Sequence, residues 1–293
     1  MKISVFTCIL NPEFWCFPYL EALISYCELA DEVVVVDGGS IDGSLDKIKK
    51  ISDKIKIVTL KWPWEYKQRE FPLHLNYGFD NCTGDWVIKM DIDFVLHEYD
   101  ALGFRRKLEK YNDSENIEVA SFIKLNMLSR FCGFTKGEVS WAIHKKFTKN
   151  KVKFGVEIDR QTPDWSQAIK VKEMIDGIPY GNVINIDTKA KEIMDVLRLN
   201  QRVFNYDCFF RTREKCKSWF ARSARAYLNE TGQPLYGNSD EDSWKQWKNI
   251  REYQREIYEK IAFKFEDHPI FIQDKIKSMT PDMWGYNNFD WEL

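Results

Sequence analysis

The sequence is poor in the residues that would place it in a class at once. Its 293 residues hold seven cysteines, an odd number, scattered and without a Cys-x-x-Cys pair. A disulfide frame or zinc ribbon is thereby excluded, and the cysteines read as small buried apolar residues. No apolar run approaches the ~20 residues of a membrane span, since even the run Val33 to Val36 stops within a strand's length. The opening Met-Lys-Ile-Ser reads as the start of a strand and not as a signal peptide, so a cytoplasmic location is expected. Charge of one sign is also lacking: 43 Lys and Arg stand against 45 Asp and Glu, a formal net charge of −2. Any argument from a global polycation falls, and partners must be argued locally. Nor does a glycine-rich, basic phosphate loop follow the first apolar run, where ILN passes into PEFW; a nucleotidyltransferase would be expected to have one. There is no internal repeat and no low-complexity tract.

What is present is a chain that is 44% hydrophobic, long enough for one large α/β domain with an appendage. Two segments carry the chemistry. The first, DEVVVVDGGSIDGS from Asp31 to Ser44, is a β-branched run that ends in Asp37, two glycines and a serine. An unbroken run of this kind reads as a strand covered on both faces, with its polar cargo at the carboxyl end, where open α/β sheets bind ligands. The second, GDWVIKMDID from Gly84 to Asp93, places Asp91 and Asp93 two residues apart after strand-forming Trp86, Val87, Ile88 and Met90. On an extended backbone both carboxylates point to one face. Two like charges facing the same way call for a cation, and oxygen ligands of this kind select Mn²⁺ or Mg²⁺.

Periodicity predicts alternating elements: strand 3–10, helix 17–30, strand 32–37, helix 44–53, strand 55–60, helix 72–82, strand 85–91 and helix 99–111. This is a mostly parallel central sheet with flanking helices. Glu118 to Leu128 reads as a further strand, and Trp141–Phe147 with Val152–Val156 as a hairpin. Beyond Thr188 the pattern turns helical, over 188–206, 211–230 and 240–264. The expected organisation is an α/β domain over 1–187, which holds both carboxylate segments, and a helical C-terminal extension over 188–293.

With both carboxylate segments in this order and about fifty residues apart, the chain resembles the family 2 glycosyltransferases of the GT-A fold, over roughly its first hundred residues. The opening strand Ile3 to Asn11, with Thr7 within it, and Glu13 after it resemble the family's first strand and its Asn-x-Glu loop, although Pro12 falls between the polar residues. The resemblance implies that Thr7, Asn11, Glu13, Asp37, Ser40, Asn76 and Asp91 serve the donor, a UDP-sugar first among nucleotide sugars. Asp42 and Gly43 continue the turn after Asp37, and Asn76 and Gly78 stand in the helix that leads into the metal strand. The arginine usual before that asparagine is Leu75 here, for which Arg69 or Lys67 could substitute. Asp91 and Asp93 would hold the cation, with His144 a candidate third ligand from a later segment, while His97 stands too close to Asp93 at a helix start. The implied reaction is sugar transfer to an acceptor hydroxyl with inversion, for which a carboxylate base is needed. Glu157, Asp159 and Asp164 are the candidates, Asp159 the first choice.

From Arg198 to Arg225, eight basic residues stand against Asp207 and Glu214, with aromatics between them. The stripe is either a solvated helical face or a polyanion surface on which Arg211, Arg213 and Lys217 bind the acceptor. A second basic run, His144 to Lys153, could stabilise a leaving diphosphate. Trp62 and Trp64 could stack on a sugar or base, or simply pack. A saccharide or lipid-linked glycan is the expected acceptor; hydroxymethylated DNA is the nucleic-acid alternative. In another class stand a non-catalytic nucleotide-sugar-binding protein and a nucleotidyltransferase.

Overall fold

The apolar run of the first segment becomes the middle of a parallel ladder. Strands β1 (Ile3–Ile9), β2 (Glu32–Asp37), β3 (Ile55–Thr59) and β4 (Trp86–Lys89) lie in the order β3-β2-β1-β4, all parallel. The structure, a computed structural model, describes residues 1–62, 71–114, 117–135, 139–144, 152–153, 169–170, 182–185, 195–232 and 239–287. Val33 to Val36 are fully buried, as a strand covered on both faces requires. The crossovers are made by α1 (Tyr19–Leu29), α2 (Ser44–Ile48) and α3 (Phe71–Asn81). Helix α1 buries Tyr19, Ala22, Leu23, Tyr26 and Leu29, the three-and-four spacing of one apolar face. Helix α3 comes close to the sheet at Gly78, where a Cβ would lie 2.6 Å from the Phe6 ring and 3.0 Å from Val36.

Beyond β4 the sheet turns largely antiparallel. After β5 (Phe94–Leu96) and α4 (Glu98–Lys110) come β6 (Ile117–Ser129), β7 (Cys132–Phe134) and β8 (Val139–His144). Strand β8 lies between β4 and β6, antiparallel to both. Both its edges are thereby occupied, so among the described residues the hairpin expected between 141–147 and 152–156 is not seen. Instead β9 (Val152–Lys153) pairs with β11 (Asn182–Asn185), which also pairs with β10 (Ile169–Lys170). A second correction concerns 188–206, read as helix. Residues Asp195–Asn205 form strand β12, parallel to β6 and antiparallel to β5. Leu197 and Leu199 alternate with Arg198 and Asn200, the period of a strand, and Leu199, Val203 and Phe204 are buried against the sheet. The helical reading took the interrupted spacing across the register shift between Arg198 and Arg202 for a helical period.

The helical part of the C-terminal region consists of α5 (Arg213–Thr231), α6 (Asp240–Ile257), α7 (Ile270–Lys277) and α8 (Trp284–Asn287). Thr212 caps α5 by accepting from the Lys215 N–H, and Ser239 caps α6 by accepting from that of Asp242 at 3.1 Å. Three acids, Asp240, Glu241 and Asp242, occupy the first turn of α6, where they suit the helix dipole. Helix α6 ends at Ile257, short of the expected 264, because the short strand β13 (Ile261–Ala262) pairs with β7. Trp244, Trp247 and Trp284 make a second apolar cluster with Cys208 and Cys216.

The contact at Gly78 leads to a stability test. Gly78→Ala should destabilise the protein by about 1 to 3 kcal/mol, since helix propensity favours alanine but the methyl group has nowhere to go. Urea denaturation measures this, and an unchanged or raised midpoint would mean that α3 shifts without loss.

Candidate active site

Where β1 and β4 end, their chains diverge and leave a cavity of about 320 Å³, the position at which open α/β sheets take ligands. Its walls come from four places. The end of β1 and the following loop supply Cys8, Ile9, Leu10, Pro12 and Phe17; the turn after β4 supplies Asp91, Ile92 and Asp93; β6, the end of β12 and the residues just beyond it supply Lys124, Asn205 and Asp207; and α5 supplies Trp219 and Arg222. Trp62 also borders it, stacked on His74 with ring centroids 4.5 Å apart and on Phe71 at 5.3 Å. This leaves Trp62 as an aromatic wall; Trp64 lies outside the described residues.

Asp91 and Asp93 border the same cavity, though by a different route from the expected one. Strand β4 stops at Lys89, and the two carboxylates sit on a turn closed by the Phe94 N–H donating to the Asp91 carbonyl at 3.0 Å. Their common orientation is thus set by the turn and not by strand alternation. The buried Tyr26 hydroxyl shares its one proton between the Phe94 carbonyl, at 2.8 Å, and that of Asp91. Asp93 is 8% exposed. Burial, then the neighbouring Asp207 and Asp91 carboxylates, push its pKa up to about 7. Asp91 is more open and accepts from Lys89 Nζ at 2.6 Å. Among the described residues, no group of three or more His, Cys, Asp and Glu side chains could hold an ion unaided. Two carboxylates on one wall do suit a hard divalent cation whose remaining ligands come from phosphates and water.

The other donor candidates lie on β1, at the end of β2, on the loops after these two strands and on α3. Asp37 is 2% exposed, and its carboxylate accepts from the Gly39 and Ser40 N–H groups at 3.1 and 2.9 Å. It thus builds the turn in which Gly39 takes φ +102°, a conformation that suits glycine. Ser40 Oγ accepts from the Asn11 N–H at 2.9 Å, and Asn11 Oδ1 accepts from the Ile41 N–H at 2.8 Å. The loops after β1 and β2 are therefore laced together. Glu13 is exposed and held below its ordinary pKa by the Tyr19 hydroxyl and then Lys47. Thr7 is buried in β1, with no partner for its hydroxyl among the described residues. Asn76 lies half-buried on α3. Of the residues expected to serve the donor, only Asp91 is among those that border the cavity.

His144 ends β8 opposite Trp86; its side chain lies outside the described residues, as do Glu157, Asp159, Asp164, Lys67 and Arg69. The lysines 145, 146, 149 and 151 lie outside them too. His97 caps α4 by accepting from the Tyr99 N–H at 3.4 Å.

The basic stripe is not a free surface. Arg211 is 1% exposed, donates through Nε to the Trp15 carbonyl at 2.9 Å, and lies 4.4 Å from the centroids of both Phe17 and Trp219. Lys217 pairs with Glu241 at 2.9 Å, and Arg225 with Asp240. Arg213 opens α5, half-buried. The acids that answer the stripe come from the next helix.

Asp207, not singled out in the sequence, is the third cavity carboxylate. Burial would raise its pKa, but the Arg251 and Arg211 guanidiniums outweigh this and hold it below the ordinary value. A signal lay in its neighbourhood. Three residues other than glycine have positive φ among the described residues, namely Asn11, Cys16 and Cys208. All three sit on the loops that wall the cavity, where backbone strain tends to collect.

Comparison with known proteins places these residues in a wider setting. The family model described as Glycosyl transferase family 2 matches residues 4–162. An uncharacterized glycosyltransferase of Mycoplasma genitalium is 29% identical over 118 residues, 38% of each chain. The match therefore spans well under half the length of that curated relative. Among solved structures, residues 1–349 of S. aureus TarS in complex with UDP are 18% identical, with 53% of this chain and 50% of that one covered and a TM-score of 0.40. The mannosyltransferase PcManGT from Pyrobaculum calidifontis, in complex with GDP-Man and Mn2+, is 15% identical, with 86% and 68% covered and a TM-score of 0.46.

Asp93 carries a pH signature. Its folded pKa of about 7 exceeds the ordinary 3.8, so the folded state holds the proton more tightly and stability falls as pH rises between those values. In chelated buffer at pH 8, Asp93→Asn should be more stable than the wild type by about 1 kcal/mol or more. The gain should shrink towards pH 4. Thermal melts at pH 4, 6 and 8 check this; an advantage independent of pH would rule out a buried, crowded carboxylate.

Proposed function

We propose that this chain, which belongs to glycosyl transferase family 2, moves a sugar from a nucleotide-sugar donor to an acceptor hydroxyl with the help of Mn²⁺ or Mg²⁺. The observation that carries this reading is the pair Asp91 and Asp93 on one wall of a cavity at the ends of β1 and β4. When bound, the cation would neutralise charge developing on the leaving diphosphate. Asp91 and Asp93 would hold it, and the Tyr26 hydroxyl beneath their turn keeps both in place. The interlaced loops at Asn11, Asp37 and Ser40 fix the cavity wall that receives the nucleoside, a UDP-sugar being the expected donor. Trp62 offers a flat apolar face to a base or sugar ring.

The acceptor must lose a proton as it attacks, and inversion calls for a base across the sugar from the leaving group. Asp207 suits that role poorly, because Arg251 takes one of its oxygens while the other accepts from Cys208 and lies 3.6 Å from Arg211. We assign the base to the segment of Glu157, Asp159 and Asp164. The acceptor reading favours a saccharide or lipid-linked glycan. A DNA acceptor rested on the basic stripe, and Asp240, Glu241 and the burial of Arg211 take away much of its free charge. A cytoplasmic setting goes with this proposal, and no described helix is long and apolar enough to cross a membrane.

Asp91→Asn and Asp93→Asn should each lower transfer at least ~100-fold, the scale on which electrostatic catalytic groups act, while the fold persists. Release of nucleoside diphosphate from a panel of nucleotide sugars, with Mn²⁺ titrated, measures the effect. Near-normal turnover by either variant at limiting Mn²⁺ would sink the metal assignment.

A further inference from the structure

Strand β4 is apolar and buried except at one position. Trp86, Val87, Ile88 and the following Met90 are all fully buried, yet between them stands Lys89, opposite Phe6 of β1, with a side chain only 17% exposed. An ammonium so far withdrawn from water needs a counter-charge. It has one: Nζ donates to Asp91 Oδ1 at 2.6 Å. Asp91, 39% exposed, is at the same time the more open of the two cavity carboxylates. Its charge is therefore already in use before any ligand arrives.

We propose that Lys89 is an internal counter-cation that Asp91 gives up when a divalent ion binds, its freed ammonium passing to a donor phosphate, so that ion and nucleotide are taken up as a coupled pair. The inference rests on the metal reading above and adds the control of that site. A dication on the Asp91 carboxylate would lie within a few ångströms of the ammonium, and in a partly buried wall their repulsion is weakly screened. The ion alone must displace an ammonium that is only 17% exposed and paired with Asp91. A diphosphate removes the difficulty, because its oxygens offer the ammonium a new partner at the same moment. Lysine suits such an exchange: its charge is compact and sits on a flexible four-carbon stem, so it can change partners without moving the strand. Coupling of this kind is reciprocal, and the nucleotide must bind more tightly with the ion than without it. Empty of donor, the protein would then resist loading with a cation.

The test is Mn²⁺ binding, followed by calorimetry and by the spin-resonance signal of free Mn²⁺, for the wild type, Lys89→Met and Lys89→Arg, each with and without saturating UDP and with GDP in parallel. Lys89→Met should bind Mn²⁺ alone about tenfold more tightly, and the factor by which nucleotide tightens Mn²⁺ should fall by about the same amount. Lys89→Arg, which keeps the charge, should stay near the wild type. If Lys89→Met fails to fold, Lys89→Gln carries the same expectation. Mn²⁺ affinity and coupling unchanged or weakened in a folded, charge-free variant would overturn the proposal while leaving the metal reading intact. Absence of Mn²⁺ binding to all the proteins, with UDP still bound in chelator, would instead overturn the metal reading and this inference with it.

Discussion

The site depends on one buried hydroxyl. When β4 ends, the chain must reverse within four residues, and the turn from Asp91 to Phe94 leaves backbone carbonyls facing the core. A buried carbonyl without a donor is costly. Tyr26, fully buried on α1, reaches the carbonyls of both Asp91 and Phe94. Nearby on the same helix, Ser25 Oγ accepts from the Leu96 N–H at 3.1 Å and donates to the Ala22 carbonyl. Helix α1 thus clamps the turn and β5. The position of the carboxylates is thereby tied to the packing of α1 on the sheet, and the Tyr206 N–H, donating to the Asp93 carbonyl at 2.9 Å, adds a second anchor.

Around that fixed turn the charges are arranged in answering pairs. Lys89 meets Asp91, Arg251 and Arg211 meet Asp207, and Asp93 is left with the raised pKa that burial and two carboxylate neighbours impose. Arg211 is central to this arrangement. Lying against the edge-to-face pair of Phe17 and Trp219, it joins the loop after β1 to the region following β12 and to α5 through contacts with the Trp15 carbonyl, Cys208 and Asp207. Breaking a buried pair of this kind by removing one partner is strongly destabilising, because the other charge is left without compensation. Helix α5 supplies Trp219 and Arg222 to the cavity wall.

Local pattern told much of this in advance. The four-valine strand, the helix that follows each early strand and the carboxylates at the ends of β2 and β4 were legible because burial on both faces demands an unbroken apolar run, and because ligand sites lie where such runs stop. The reading failed at β12, where a register shift interrupts the period of two, and at β8, whose partners are β4 and β6 and not its neighbour in sequence. It failed also for Arg211, since eight basic residues in a stretch look the same whether they face water or a tryptophan.

The sequence by itself determined the class of fold, which follows from short-range periodicity, and it offered the carboxylate pair by its spacing, while the family was legible in the resemblance that those motifs carry. Tertiary structure alone decided which charges are free. Asp37 accepts from the Gly39 and Ser40 N–H groups, Lys217 pairs with Glu241, and Arg211 donates to a carbonyl 196 residues away. The physical reason is that hydrogen bonds and ion pairs act over a few ångströms, while the chain brings residues within that distance only by folding, so no local pattern can record who the partner will be.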